Sequence, residues 1–301
     1  MRGMKTKSAL PGLAKRFALM LSVTACGAVT ARAAEHYEAF LLAGQSNMDG
    51  RGNKGELKGD LAQWARQQTD VLIAFHGGGL KRPLSVSDGL QPLEPGYSGG
   101  LPKDAAPGDK FVPGKGFGPE VSFGAAMAKS LGKKVLLIKC SEGGTNLRND
   151  WSPNQRSKLY DQFIAFTQQT LKDVRAKGDT FTLRGMIWHQ GEGDAGPTPG
   201  AYQNLLAEFS GRVRADLQTP ELPFVIGELG DDGKGKRDVV RADQKATAAA
   251  VPHTAFASAE GVGLGEDKTH FTSAGQIEFG KRFAQAMLTL LQPGKQVPPN
   301  K

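Results

Sequence analysis

Six short runs of the chain are apolar on successive residues, and this feature most limits what it can fold into. Residues 37–43 (YEAFLLA), 71–75 (VLIAF), 135–140 (VLLIKC), 183–188 (LRGMIW), 224–229 (FVIGEL) and 254–258 read as strands. Successive strand residues point to opposite faces, so runs apolar at nearly every position are covered on both sides, as in a parallel sheet flanked by helices. The stretches between carry helical periodicity. Pro119 and Glu120 open one helix running to Leu131, with proline at the favoured first position. Leu159, Phe163, Phe166, Thr170 and Val174 mark one face of a second. Tyr202, Leu205, Phe209 and Val213 mark a third, with Thr198 and Pro199 at its start. Ile277, Gly280, Phe283, Met287 and Leu291 mark the last, with Ser273 and Gln276 at capping-box spacing before it. The βαβα order predicts an α/β fold: a three-layer α/β/α sandwich around a parallel sheet.

A net charge of +8 on 301 residues suggests nucleic acid or a membrane surface, but its distribution removes the suggestion. Residues 1–34 hold Arg2, Lys5, Lys7, Lys15, Arg16 and Arg32 and no acid, which leaves +2 for the rest. No basic stripe with interleaved aromatics follows, so nucleic acid is not expected as a partner. Residues 1–34 read as a signal peptide: a basic region, a short apolar region (FALMLSVTA) and an A-x-A site at Ala31-Arg32-Ala33. The apolar region is too short to span a bilayer, and no membrane-spanning run follows. A secreted or periplasmic protein is expected. Val23-Thr24-Ala25-Cys26 also fits a lipoprotein box in which Cys26 carries lipid. Once the signal is removed only Cys140 remains, so there is no internal disulfide and no cysteine metal site. Cys140 ends an apolar run and reads as a buried, inert thiol. The folded domain is placed at 35–293, with a polar tail at 294–301. Within it, residues 76–118 hold 11 Gly and 6 Pro among 43 positions. That is too long for an ordinary connection and reads as an ordered active-site wall.

Four polar blocks follow predicted strands, and in an open parallel sheet ligands bind beyond the carboxyl ends of strands. The first is Gly44-Gln45-Ser46-Asn47. Taken alone, Ser46 fits a nucleophile and a helix N-cap equally well. The second is Asp267-Lys268-Thr269-His270, where Asp267 can orient an imidazole three residues on; a local cap beside a surface histidine has the same spacing. The third is His189-Gln190-Gly191-Glu192-Gly193-Asp194, whose side-chain amide could donate to an oxyanion or merely shape a tight turn. The fourth is Ser141-Glu142-Gly143-Gly144-Thr145-Asn146, whose glycines leave backbone N–H groups open to a ligand. Among the remaining candidates, Glu192 and Asp194 read as supports of the Gln190 loop or contacts to a sugar hydroxyl. His189 could point into the layer behind, and His76 reads as a loop residue. Trp188 reads as core, and Trp151, in a polar loop, is the better candidate for stacking on a sugar ring.

Together the four blocks, with Gly116-Phe117-Gly118-Pro119-Glu120, resemble the SGNH hydrolase superfamily over about residues 40–283. Within it they are most similar to the branch holding carbohydrate esterase family six and the sialate O-acetylesterase-like domains. The resemblance implies a flavodoxin-like fold and a serine esterase without metal or other cofactor. Ser46 would be the nucleophile, His270 the base and Asp267 its orienter. The oxyanion would sit against the backbone N–H of Ser46, that of Gly144, and the amide of Gln190, a position where the wider superfamily has asparagine. Gln45, Asn47, Glu192 and Trp151 are left as substrate contacts or loop supports. The expectation is an exported acetylesterase acting on an acetylated, acetylxylan-like polysaccharide. Three rivals stand beside it: a sialate or other glycan O-acetylesterase, a general short-chain esterase, and a sugar-binding pseudo-esterase.

Overall fold

The computed structural model describes residues 32–99, 111–154 and 158–292. The signal-peptide and lipid-box expectations fall on residues 1–34, and the tail on 294–301. Apart from residues 32–34 these lie outside the described residues, as do residues 100–110 of the Gly- and Pro-rich segment.

β1 (His36–Gly44) leads into α1 (Ser46–Asp49). There follow β2 (Gly52–Asn53), β3 (Gln68–Gly77), β4 (Ser85–Val86), β5 (Gln91–Leu93), β6 (Gly116–Phe117) and α2 (Glu120–Leu131). Strands and helices then alternate: β7 (Val135–Ser141), α3 (Lys158–Ala176), β8 (Thr180–His189), α4 (Ala201–Asp216), β9 (Phe224–Gly227), α5 (Asp238–Ala250), β10 (Thr254–Ala257) and α6 (Ser273–Leu291).

The sheet runs β10-β9-β8-β1-β7-β3, all parallel, with β4 and β5 antiparallel on β3. Without β3, its order is second-first-third-fourth-fifth, that of the flavodoxin-like sheet. β3 is an extra parallel strand laid outside β7. β1 is therefore the switch point: its neighbours β7 and β8 lie on opposite sides, and a crevice opens beyond its carboxyl end, where the first polar block stands.

The two-sided burial follows from β1's own alternation. Ala39, Leu41 and Ala43 pack toward α3, α4 and α5 with Phe163, Phe209 and Trp188. Phe40 and Leu42 pack the other way, toward α2 and α6, with Phe123, Phe279 and Phe283. Each large apolar side chain fully withdrawn from water on these faces contributes about 1.5–3 kcal/mol.

Helix α5 carries a face that hydrophobic periodicity cannot announce, because Asp243, Gln244 and Thr247 are its buried residues beside Val240. Asp243 accepts from the backbone N–H of Gly200 and Tyr202, at 2.8 and 3.0 Å, and so caps α4 from a neighbouring helix. The N-cap of α6 is Thr272, whose hydroxyl accepts from Gly275 N at 3.1 Å. The expected cap, Ser273, is buried and turned to a neighbouring segment: it donates to Glu56 and accepts from Asn53 N. On α6, Gly280 lies so close to α2 that an added Cβ would sit 2.1 Å from Ser122 Oγ and 2.3 Å from Pro119 O.

Candidate active site

The turn from β1 into α1 sets Ser46 at the first helical position, over the crevice. Its Oγ lies 3.0 Å from His270 Nε2, and His270 Nδ1 lies 2.7 Å from Asp267 Oδ2. Ser46 and His270 come from opposite ends of the chain; Asp267 and His270 share one turn before α6. That turn is closed by its own hydrogen bonds. Asp267 Oδ1 accepts from the N–H of Thr269 and of His270, at 2.8 and 2.9 Å. Lys268, between them, takes the left-handed region (φ 52) that this tight reversal needs. Partial burial pushes the Asp267 carboxyl up, but the two backbone donors and the imidazole outweigh it, and its pKa settles at about 2. A fixed negative charge thus faces Nδ1, leaving Nε2 turned toward Ser46.

Asn47 rivets this turn to the helix that begins with Ser46. Its Nδ2 donates to Thr269 O at 3.0 Å and to Glu192 Oε1 at 2.8 Å, and its Oδ1 accepts from Phe271 N at 3.0 Å. Asn47 and Glu192 therefore act as supports of the site. Arg237, buried beneath the turn, donates to Lys268 O at 3.0 Å and to Thr269 Oγ1 at 2.7 Å.

Ser46 and His270 open onto a shallow cleft of 460 Å³, lined also by Gln45, Arg51, Arg82, Gly143, Gly144 and Glu192. Gly144 adopts φ 76, in the left-handed region. Among the described residues no hydrogen bond takes up the backbone N–H of Ser46 or of Gly144. Glu142, fully buried, accepts from the N–H groups of Leu80 at 2.9 Å, Lys81 at 2.5 Å and Arg82 at 2.7 Å. This brings a turn of the Gly- and Pro-rich segment, and with it Arg82, to the cleft.

Two expectations are corrected. Gln190 is fully buried and does not line the cleft. Its Nε2 lies 2.7 Å from Asp194 Oδ2, 3.0 Å from Gln45 Oε1 and 3.2 Å from Thr145 O, so two amide protons already face three acceptors within the fold. Trp151 offers no face to a sugar. It is fully buried, edge-on to Trp188, and its indole N–H donates to Thr145 Oγ1 at 2.9 Å. Its part is to support the Gly144 loop. His189 is buried among Phe271, Phe279 and Phe283, where desolvation lowers its pKa and keeps it neutral. A third expectation also changes: His76, read as a loop residue, lies buried in β3, its Nδ1 3.6 Å from Cys140 Sγ.

Sequence reasoning missed Arg51, Arg82 and Arg237. Arg51 stands five residues after Ser46, and its proximity was a usable signal. The other two arrive from distant loops and leave none. Among the described residues no group of three or more His, Cys, Asp or Glu could hold a metal ion, and no helix is long and apolar enough to cross a membrane.

A family model described as carbohydrate esterase, sialic acid-specific acetylesterase, matches residues 36–289. A probable carbohydrate esterase of Arabidopsis thaliana is 26% identical over 265 residues, covering 84% of this chain and 90% of that one. The X-ray structure of the protein from Arabidopsis thaliana superposes with a TM-score of 0.65 at 24% identity, over 84% of this chain and 98% of that one. A carbohydrate acetylesterase from Xanthomonas citri superposes with a TM-score of 0.58 at 19% identity, over 84% of this chain and 56% of that one. At such identities the superpositions show a shared fold.

Proposed function

The chain belongs to the carbohydrate esterase family described as sialic acid-specific acetylesterase, and from that premise we propose that it hydrolyses O-acetyl esters on a polysaccharide of the acetylated xylan kind. One observation carries the reading: the unbroken line Asp267 Oδ2, His270 Nδ1, His270 Nε2, Ser46 Oγ, with contacts of 2.7 and 3.0 Å, at the mouth of the switch-point crevice. Ser46 Oγ attacks the acetyl carbonyl while His270 Nε2 takes its proton, and the negative charge of Asp267 stabilises the imidazolium. The carbonyl oxygen, now an anion, lies against the N–H groups of Ser46 and Gly144. Collapse of the tetrahedral species expels the sugar oxygen, which receives the proton from His270. Water attacks the acetyl-serine by the same path and releases acetate.

A polymeric substrate is supported by a second depression, of 390 Å³, that shares Gly193 with the cleft and is lined by Arg148, Asn149 and Thr198, with room for a neighbouring sugar. Export is supported by the acid-free basic leader and its A-x-A site.

A second reading, an acidic glycan such as an O-acetylated sialate, is favoured by the two arginines. A Cβ on Gly143 would lie 2.7 Å from Arg51 Nη2, 3.5 Å from Arg82 Nη2 and 3.4 Å from Ser46 Cβ, so both guanidinium groups stand beside the nucleophile. Asp49 pairs with Arg51 at 2.7 Å but is 3.9 Å from Arg82, leaving Arg82 donors for a carboxylate.

The test is acetate release from acetylated xylan, an O-acetylated sialate and an aryl acetate, by wild type and Ser46→Ala. The expected outcome is release from xylan that disappears in the variant. Release from the sialate alone, lost in Arg82→Ala, transfers the reading to the acidic glycan. Release from the aryl acetate alone makes the protein a general esterase. Absence of release from all three by the folded wild type leaves a sugar-binding protein.

A further inference from the structure

Two side-chain amides stand behind the nucleophile, and the fold treats them unequally. Gln45 Oε1 accepts three N–H groups: Gln190 Nε2 at 3.0 Å, Gly193 N at 3.2 Å and Gly191 N at 3.4 Å. Two of these are main-chain groups that can only donate, so they settle which end of the Gln45 amide is oxygen. Nε2 is thereby turned the other way. Among the described residues it has no hydrogen-bond partner, yet it is not one of the sealed, unpartnered polar atoms of the interior. Gln45 lines the cleft between Ser46 and Gly193. Gln190, by contrast, is sealed. Its Oε1 lies 3.0 Å from the Tyr202 hydroxyl, its backbone oxygen accepts from Gln244 Nε2 at 3.0 Å, and its Nε2 is surrounded by acceptors.

We propose that Gln45 Nε2 is the side-chain donor to the oxyanion of the tetrahedral intermediate, and that Gln190 is a positioning residue that orients it. The proposal rests on the reading of Ser46 as the esterase nucleophile. The chain Gln190, Gln45, oxyanion runs in one direction, each amide donating to the next, so the polarity of each bond reinforces the following one. A donor already aimed before the charge develops requires no reorganisation at the moment of reaction. The residue before the nucleophile can supply it because the β1–α1 turn carries both side chains to the same mouth.

The test compares wild type, Ser46→Ala, Gln45→Glu, Gln45→Ala and Gln190→Leu for aryl acetate hydrolysis and for inhibition by an aryl trifluoromethyl ketone, whose adduct with serine carries the oxyanion. Gln45→Glu retains an oxygen for the three N–H groups but replaces the donor with a second oxygen that brings negative charge, so its loss is read beside that of the uncharged Gln45→Ala. The kcat of Gln45→Glu is expected to fall about 10²–10³-fold with KM changed less than about threefold, and the inhibition constant to rise with it, at an unaltered Tm. Gln45→Ala is expected to match it, and Gln190→Leu to lose less on both readouts. The proposal is overturned if wild type is active and Ser46→Ala dead while both Gln45 variants hold kcat within about threefold. It is equally overturned if Gln190→Leu alone loses inhibitor affinity. A folded wild type without activity, or activity that survives Ser46→Ala, overturns the nucleophile reading itself and the inference with it.

Discussion

Asp267 engages both carboxylate oxygens within its own turn, and the consequence is a charge that persists into strong acid. Its pKa of about 2 lies below the ordinary carboxylate range. The folded state therefore gains stability from it above about pH 4, and that gain is lost as pH falls toward 2. With 53% of its side chain exposed, solvent screening keeps the gain small. Catalysis feels the shift more. Asp267 stays ionised above about pH 3, so kcat/KM is expected to show no limb from its titration in that range. A carboxylate limb above about pH 3 would contradict this. Asp267→Asn is expected to lower kcat roughly 10²-fold or more while the unfolding midpoint moves little, measured by steady-state kinetics beside urea denaturation. At this scale the sequence was readable where a residue's position along the chain fixes its place. Ser46, Asp267 and His270 stand at strand ends or before a helix, and the structure brings all three together. It was unreadable where two similar groups compete for one direction. Gln45 and Gln190 both follow strands in polar loops, and the orientations of their amides are set by the N–H groups of Gly191 and Gly193 and by Asp194. Trp151 misled for a related reason: residues 146–151 fold back beneath the Gly144 loop and carry the indole inside.

Among the elements, those with strong apolar periodicity were legible and those that bury polar groups were not. The strand expected at residues 135–140 corresponds to β7, and the helix expected to run to Leu131 corresponds to α2. Helix α5 escaped because its inner face is Asp243, Gln244 and Thr247, of which Asp243 serves α4 and Gln244 the β8 loop as hydrogen-bond partners. The β2–β6 ribbon is two residues long on each strand, too short for any pattern. The packing of α2 on α6 is specific enough to test. Gly280→Ala sets a methyl group against Ser122 Oγ and Pro119 O, and overpacking of this kind costs about 1–3 kcal/mol. Urea denaturation should show a lower midpoint at an unchanged slope. Ser122→Ala in the same background should return part of the loss.

For the whole molecule, the telling interaction is an ion pair sealed in the interior between the sheet and α2. Lys139 and Glu120 are both fully buried and meet at 2.7 Å, and Lys139 also donates to Tyr97 O at 2.7 Å and Asp49 O at 3.0 Å. One ammonium thus joins β7, α2, the Gly- and Pro-rich segment and the helix that begins with Ser46. Lys139→Met leaves a buried carboxylate without its counter-charge and is expected to cost about 3–5 kcal/mol in urea denaturation, with Lys139→Met/Glu120→Gln less damaging than the single change. The expected sandwich with its parallel sheet was legible in the apolar runs. The place of β3 outside β7 was not, since an apolar run states that a strand is covered and not which strand lies beside it. That arrangement also fixes how the sheet ends. On one side β3 is closed off by the short antiparallel β4 and β5, with Pro92 in the ribbon. On the other, β10 offers four residues, bracketed by Arg214 on the carbonyls of Pro252 and His253 and by Arg282 on those of Ser258 and Glu260. Among the described residues neither border of this sheet presents a long bare backbone on which a neighbouring copy could template a strand, so the sheet itself offers no ready seam along which folded molecules would clot.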